Sequence, residues 1–491
     1  MQNTPDVKMA VVGVSRDCFP IELTGRRLDK LVAASESKVS EIYRCSIVVE
    51  NEVDAAKANQ EITEAGCNAL VIYLGNFGPE NPIAKLAQDF SGPVMLISAA
   101  EESKSTIGTD RGDALCGLMN ASMACGLRQM MKPYIPQRPC GLPEELAECI
   151  SDFEAIARVV IGVKNLKLIG FGPRPHDFLA CNAPIQPLFN MGVEVMENSE
   201  LDLFSLYKEA GSQTERIAEV AADMKAELGE GCTYPDLLPK LAQFEIALLD
   251  FMEANKGTSE YVAFADKCWP AFEFEFGFTP CYVNSRLAGR GIPVACEVDL
   301  YGALSEYMVQ CATLQPATLL DINNSVPSDM LEGTGMKTED LHMGFHCGNT
   351  CTECMADCKL NYQVIMNRLM EDGGTPDITR GTLEGMIKPG DTTLFRLQSS
   401  GDAKLKSYIA EGEFADLNPE TFGSTGVVHI PGFYRFYRHV LVGKQFPHHG
   451  AYSRGKVGKI LFAATQMLGI SDISVPLPEG QLYAGENPFE A

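Results

Sequence analysis

Short apolar runs alternate with segments of helical period through the first half of the chain. Residues 7–14, 47–49, 69–74 and 94–98 are apolar along their whole length and too short for helices. They read as strands of a parallel sheet covered on both faces. Helical segments such as 54–65 lie between them, and a helix over 113–131 leads into the proline-rich KPYIPQRPCGLP. A second amphipathic helix follows over 144–163. The pattern predicts an N-terminal α/β domain over residues 1–165. A second α/β domain over 166–345 opens with strand 166–171 and includes strand 193–196 and helices over 203–209, 212–228 and 235–255.

The stretch 291–324, GIPVACEVDLYGALSEYMVQCATLQPATLLDINN, compresses the same pattern. A short apolar run ends on Glu297. A helical pattern follows, with Leu300, Ala303, Leu304, Tyr307, Met308 and Cys311 at three- and four-residue spacing. After Pro316 a second apolar run ends on Asp321. Strand, helix and strand over this length predict one βαβ crossover with parallel strands, and both acids then lie at the carboxyl edge of the sheet. Two carboxylates held close there repel unless a cation lies between them. Capping of a following helix, or solvation of a loop, is the alternative for each.

After residue 370 the pattern changes. Residues 392–397 and 404–410 are β-rich runs flanking Ser399-Ser400-Gly401-Asp402, a hairpin signal, and 427–430 and 434–442 are further strand candidates. The third domain, 346–491, is expected to be an antiparallel β-barrel or sandwich, closed by a terminal helix over 457–468.

Composition narrows the class of protein. The chain has 491 residues, 45% hydrophobic and 21% charged, as expected for a soluble α/β protein of several domains. With 40 basic against 65 acidic residues the net charge is −25, which argues against nucleic acid or an anionic membrane as partner. The N-terminus does not resemble a signal peptide, and no apolar run approaches the roughly eighteen residues needed to span a bilayer. The 17 cysteines are scattered through the chain, which suits buried thiols in the cytoplasm. Gly170-Phe171-Gly172 follows a strand but is not continued into a dinucleotide-binding motif.

Of seven histidines, His448 and His449 lie in KQFPHHGAYSRGKVGKILF, a loop bounded by Pro447 and Gly450. With Glu297 and Asp321 they make a set of carboxylates and imidazole that suits Mn²⁺ or Mg²⁺ better than structural zinc. Four segments, CWPAFEFEFGFTPC, GIPVACEVDLYGAL with LLDINN, GTLEGMIKPGDTTLFRL and RHVLVGKQFPHHGAY, resemble the L-fucose isomerase/L-arabinose isomerase family of metal-dependent aldose–ketose isomerases. The resemblance implies that Glu297, Asp321 and His449 bind the metal. It also implies two α/β domains, a C-terminal β-barrel domain and a hexamer. The spacing of 24 between the acids fits that family. The chain is shorter than fucose isomerases proper, and it does not reproduce the Glu–Glu–His–His set of arabinose isomerases. The match is to the reaction and not to a named sugar.

Position adds further candidates for the substrate pocket: Arg16, which resembles the family arginine reaching into a neighbour's site, and Trp269, Glu273, His346 and His448. A rival signal is CGNTCTECMADC, whose Cys347, Cys351, Cys354 and Cys358 have spacings that would suit an iron–sulfur cluster or zinc. The reading that follows is a cytoplasmic, Mn²⁺- or Mg²⁺-dependent isomerase of an open-chain aldose. In it Glu297 and Asp321 move protons through a cis-enediol. A non-catalytic sugar-binding protein of the same fold is the alternative.

Overall fold

The computed structural model describes residues 3–128 and 132–489. They divide into two compact units, one of Pro5–Ile161 with Lys459–Gly469, the other built around Gly162–Gly458. In the first, β1 (Lys8–Val14), β2 (Glu41–Arg44), β3 (Ala69–Leu74), β4 (Val94–Ala99) and β5 (Cys140–Gly141) form a parallel sheet in the order β2-β1-β3-β4-β5. Strands β3 and β4 are buried at every position and β1 at all but its first, which is why they stand out as apolar runs. Residues 47–49 are not a full strand; Val49 forms a single bridge to Val14. The edge position is taken instead by β2, whose half-exposed EIYR is too polar to register as an apolar run. The helix expected over 54–65 spans Glu52–Glu64, capped by the Asn51 side chain. The one expected over 113–131 runs Ala114–Leu127, and residues 129–131 lie outside the described residues. The terminal helix Gly458–Met467 belongs with this unit, where Lys459 pairs with Asp152 at 2.7 Å.

The second unit contains two sheets. The smaller is parallel, in the order β7-β6-β8-β9, from β6 (Leu166–Gly172), β7 (Glu194–Ser199), β8 (Tyr261–Ala265) and β9 (Val294–Ala295). Its helices close over a core rich in aromatic rings, Phe171, Phe244, Phe264, Phe272, Phe276 and Phe278. The larger sheet has nine strands: β10 (Thr318–Asn324), β11 (Leu341–His346), β12 (Met355–Tyr362), β13 (Arg380–Ile387), β14 (Gly390–Ser399), β15 (Leu405–Ala415), β16 (Ser424–His429), β17 (His449–Tyr452) and β18 (Asp472–Ser474). Their order is β12-β13-β16-β11-β10-β17-β14-β15-β18, and β15 also pairs with β16. The β14–β15 hairpin lies where its turn signal placed it.

Three expectations are corrected here. The C-terminal sheet is mixed and not purely antiparallel, because β13–β16 and β15–β18 are parallel pairs. Residues 434–442 are helical, as Phe433–Phe436 continued by Tyr437–Val442. Their buried Phe433, Phe436, Val440 and Leu441 recur at helical spacing, which outweighs the β-rich composition. Finally, 291–324 is not a βαβ crossover. Strand β9 pairs with β8 in the parallel sheet, whereas β10 lies antiparallel to β11 and β17 in the large one. An apolar run carries no record of which sheet it joins. The helix between them, Leu300–Thr313, is buried from Leu300 to Ala312 because it packs against β8 on one side and β14 and β17 on the other. Among the described residues, no helix is long and apolar enough to cross a membrane.

Candidate active site

Glu297, in the turn Cys296–Val298 just after β9, and Asp321, inside β10 and not at its end, both approach His449 although their strands belong to different sheets. Asp321 and His449 are cross-strand partners on β10 and β17, so their side chains share a face, and Asp321 Oδ1 lies 3.4 Å from His449 Nε2. Glu297 reaches the same nitrogen from the other sheet, with Oε2 at 3.0 Å. It does so through two successive left-handed residues, Glu297 at φ 60° and Val298 at φ 59°. For a β-branched valine this is strained backbone, costing roughly 1–3 kcal/mol. The bend is held by the Val298 N–H, which donates to Asp266 O at 2.8 Å. Strain of this kind, kept by its surroundings, turns the Glu297 carboxylate toward the imidazole.

Asp299, two residues further on, fixes that imidazole. Its carboxylate caps the helix Leu300–Thr313 by accepting from Gly302 N at 2.8 Å, and accepts Arg396 through Nη1 at 2.6 Å and Nη2 at 2.8 Å. It also accepts from His449 Nδ1 at 2.8 Å. Burial pushes the Asp299 carboxyl up, but the Arg396 guanidinium and His449 overcome this and hold it well below the usual range. An ionised Asp299 keeps the His449 proton on Nδ1 and aims Nε2 at Glu297 and Asp321, the arrangement of a ligand histidine backed by a carboxylate. His449 Nε2 and Asp321 Oδ1 are both buried, and neither makes a hydrogen bond. Burial raises the Asp321 carboxyl, yet His449 and the nearby His346 and His448 bring it down to about 2. Burial disfavours charge on His449, but Asp299, Asp321, Cys181 and Glu297 raise it well above the ordinary histidine value. Carboxylates around one imidazole favour positive charge at this point. Carboxylate oxygens and imidazole nitrogens are donors that suit Mn²⁺ or Mg²⁺; the side chains within metal reach of one another include Glu297 with His448 and His449, and Asp321 with His346 and His449, so the two acids share His449 as their common neighbour.

The family model for fucose/sulfoquinovose isomerase N-terminal domains matches residues 10–164, and that for L-fucose isomerase C-terminal domains matches residues 344–474. The chain belongs to the fucose isomerase family. Among its relatives, the sulfoquinovose isomerase of Clostridium sp. (strain MSTE9) is 28% identical over 304 residues, 59% of this chain and 61% of that protein. That of Priestia aryabhattai is 26% identical over 322 residues, 63% of this chain and 67% of that protein. That of Alkalicoccus urumqiensis is 26% identical over 297 residues, 58% of this chain and 60% of that protein. The chain thus matches about three fifths to two thirds of the length of these relatives.

Other candidates of this fucose isomerase family member are placed variously. His346 is buried beside the trio, its ring centroid 5.8 Å from that of His449. Burial lowers its pKa, and Nδ1 accepts from Cys347 N at 2.9 Å, so it is a neutral imidazole with its proton on Nε2. His448 Nε2 lies 3.5 Å from Asp321 Oδ1. Phe178 stands edge-on to His448 at 5.7 Å and to Trp269 at 6.3 Å, and His176 lies 5.8 Å from Trp269. One aromatic wall therefore runs from His448 to Trp269. Glu273 is buried in the helix Ala271–Phe276 with neither carboxylate oxygen hydrogen-bonded, and burial raises its pKa to about 9. It makes no bond to the trio. Arg16 belongs to the other unit, where its guanidinium lies 5.1 Å from the Phe77 ring and 3.9 Å from Glu80.

The four cysteines of CGNTCTECMADC do not gather as a ligand set. Among the described residues, the groups of three or more side chains within metal reach of one another include none of Cys347, Cys351, Cys354 and Cys358. Cys347 is the neighbour of Cys296, Glu297 and Asp321, Cys351 pairs with Cys354, and Cys358 lies on β12.

Three residues of the site escaped the sequence analysis: Asp299, Arg396 and Cys181. Asp299 was visible as an acid directly before a helical run, an N-cap signal. Arg396, an arginine inside the apolar run TTLFRL, was visible as a charge that needs a partner if buried. Cys181, with Sγ 3.7 Å from Glu297 Oε2, gave no signal, because it ends a single short helical turn, Leu179–Cys181, that has no periodic pattern to reveal it.

Proposed function

We propose that the chain is an aldose–ketose isomerase that works through a cis-enediol, with Mn²⁺ or Mg²⁺ held by Glu297, Asp321 and His449. The observation that carries the reading is the convergence of Glu297 Oε2 and Asp321 Oδ1 on His449 Nε2, at 3.0 and 3.4 Å, in a member of this family. The bound cation would supply a Lewis acid for the sugar carbonyl and a countercharge for the oxyanion that develops there. Of Glu297 and Asp321, one removes the proton from C2 and returns it at C1, and the other handles the hydroxyl proton. Asp299 holds a His449 proton on Nδ1, and Arg396 keeps Asp299 ionised, so that Nε2 faces Glu297 and Asp321, where a bound cation would replace the second proton that these carboxylates favour. His448, Phe178 and Trp269 wall one side of the pocket for the open-chain sugar. Sulfoquinovose, the sugar named for its relatives, is the first substrate to test. Location in the cytoplasm and a hexamer in which Arg16 completes a neighbour's site belong to the same proposal.

The test is incubation of the Mn²⁺-loaded protein with sulfoquinovose, L-fucose and L-arabinose in D₂O, followed by NMR. A ketose carrying deuterium at C1 is the expected product. A ketose free of deuterium overturns the enediol in favour of hydride shift. Sugar binding without any ketose leaves a sugar-binding protein and removes the isomerase reading.

A further inference from the structure

The paired thiols Cys351 and Cys354 have no part in the proposed isomerase chemistry, and their surroundings suit another reaction. Both are 2% exposed, and Cys351 Sγ donates to Cys354 Sγ at 3.2 Å. The pairing is local: Cys354 N donates to Cys351 O at 3.0 Å, which closes the single turn between them. That turn is anchored on both sides. Lys388 N donates to Cys354 O, and Lys388 Nζ to Glu353 O, each at 2.9 Å. The Thr350 and Thr318 hydroxyls are hydrogen-bonded at 2.6 Å. Cys354 also lines a small cavity of about 20 Å³ with Lys388, Arg454, Tyr452 and Asp391, so a molecule about the size of hydrogen peroxide can meet a thiol that is otherwise enclosed. Among the described residues, no carboxylate forms an ion pair with Arg454. The Cys351 hydrogen bond lowers the Cys354 pKa, burial opposes this, and Arg454 lowers it further.

We propose that Cys351 and Cys354 are a peroxide-reactive dithiol, with Cys354 as the attacking thiolate and Cys351 as the resolving thiol. Cys354 sulfur attacks one oxygen of a hydroperoxide. The O–O bond breaks, Cys354 becomes a sulfenic acid, and the other oxygen leaves as water or an alcohol after taking up a proton. Cys351 sulfur then attacks the Cys354 sulfur, the S–S bond forms, the S–O bond breaks, and the hydroxyl leaves as water with the Cys351 proton. Two thiols and one hydroperoxide give one disulfide, one alcohol or water, and one further water. The sulfurs need to close from 3.2 Å to about 2.05 Å, which a short turn can accommodate.

The test uses the full-length protein, purified reduced and treated with dilute hydrogen peroxide, with the state of each cysteine read by peptide mass spectrometry. Cys18 and Cys116 are exposed and serve as internal references. The expected result is a Cys351–Cys354 disulfide that loses two hydrogens in mass, reverses with dithiothreitol, and forms on the order of tenfold faster than either reference thiol is oxidised. In Cys351→Ser, dimedone should trap a sulfenic acid at Cys354. Persistence of both thiols under conditions that oxidise Cys18 and Cys116 overturns the proposal, as does a disulfide from either cysteine to another partner.

Discussion

The parallel sheet β1–β5 and the surroundings of His449 treat buried charge in opposite ways, although each also holds a neutral or orphaned polar atom, such as the Tyr73 hydroxyl on β3. In the first, the buried guanidinium of Arg27 is satisfied throughout. It reaches Gly75 O at 2.7 Å, Glu101 at 2.9 Å, and Glu102 at 2.9 and 2.7 Å. In the second, Asp299 is satisfied as fully, but His449 Nε2 and Asp321 Oδ1 beside it are not. Both Glu273 oxygens, Glu306 Oε2 and Asp266 Oδ2 in the same unit also lack partners. A buried polar atom left without a partner costs about 1–3 kcal/mol, so a cluster of them is not there for stability. The polar groups of the first region complete a fold. Those of the second leave His449 Nε2 and Asp321 Oδ1 open, which suits the proposed cation site.

The largest effects that would sharpen this contrast fall on the trio. Glu297→Gln and Asp321→Asn keep side-chain shape and remove a base, and each should lower turnover on the order of a hundredfold or more while the chain stays folded. Full turnover in either, measured by ketose formation, would break the contrast. Asp299→Asn should weaken Mn²⁺ binding on the order of 10–100-fold in a calorimetric titration, because it removes the charge that orients His449. Unchanged affinity would reduce Asp299 to a helix cap.

Stability should follow pH with opposite signs at two buried groups. His342 has its pKa pushed down to about 3 by burial, from 6.5. The unfolded chain therefore binds the extra proton between those values, and stability is lost as pH falls from 6.5 toward 3. His342→Gln should reduce that slope by roughly 1.4 kcal/mol per pH unit in urea unfolding. Glu273 is raised from 4.5 to about 9, so its folded carboxyl stays protonated while the unfolded one ionises, and stability falls as pH rises from 4.5 toward 9. Glu273→Gln should flatten that decline by a similar amount. An unchanged slope in either variant would remove that group from the account. The smallest effect belongs to the other region: Ile72→Val in the fully buried β3 should cost about 0.5–1.5 kcal/mol and leave turnover per folded molecule unchanged.

The sequence by itself determined the strongly periodic elements. Strands β1, β3 and β4, the hairpin β14–β15 and the buried helix Leu300–Thr313 are legible because a run that is apolar on every side has only an interior to go to. Glu297 and Asp321 stood out as acids ending apolar runs and His449 through the family resemblance, and the structure places both acids within 3.4 Å of His449. Tertiary structure alone decided which sheet each acid's strand joins, since apolar pattern specifies burial and not pairing partner. It also decided the support of the site. Arg396 lies 97 positions from Asp299, and His449 lies 150 from it, and each of these charges is tolerable in the interior only because folding brings the others to it.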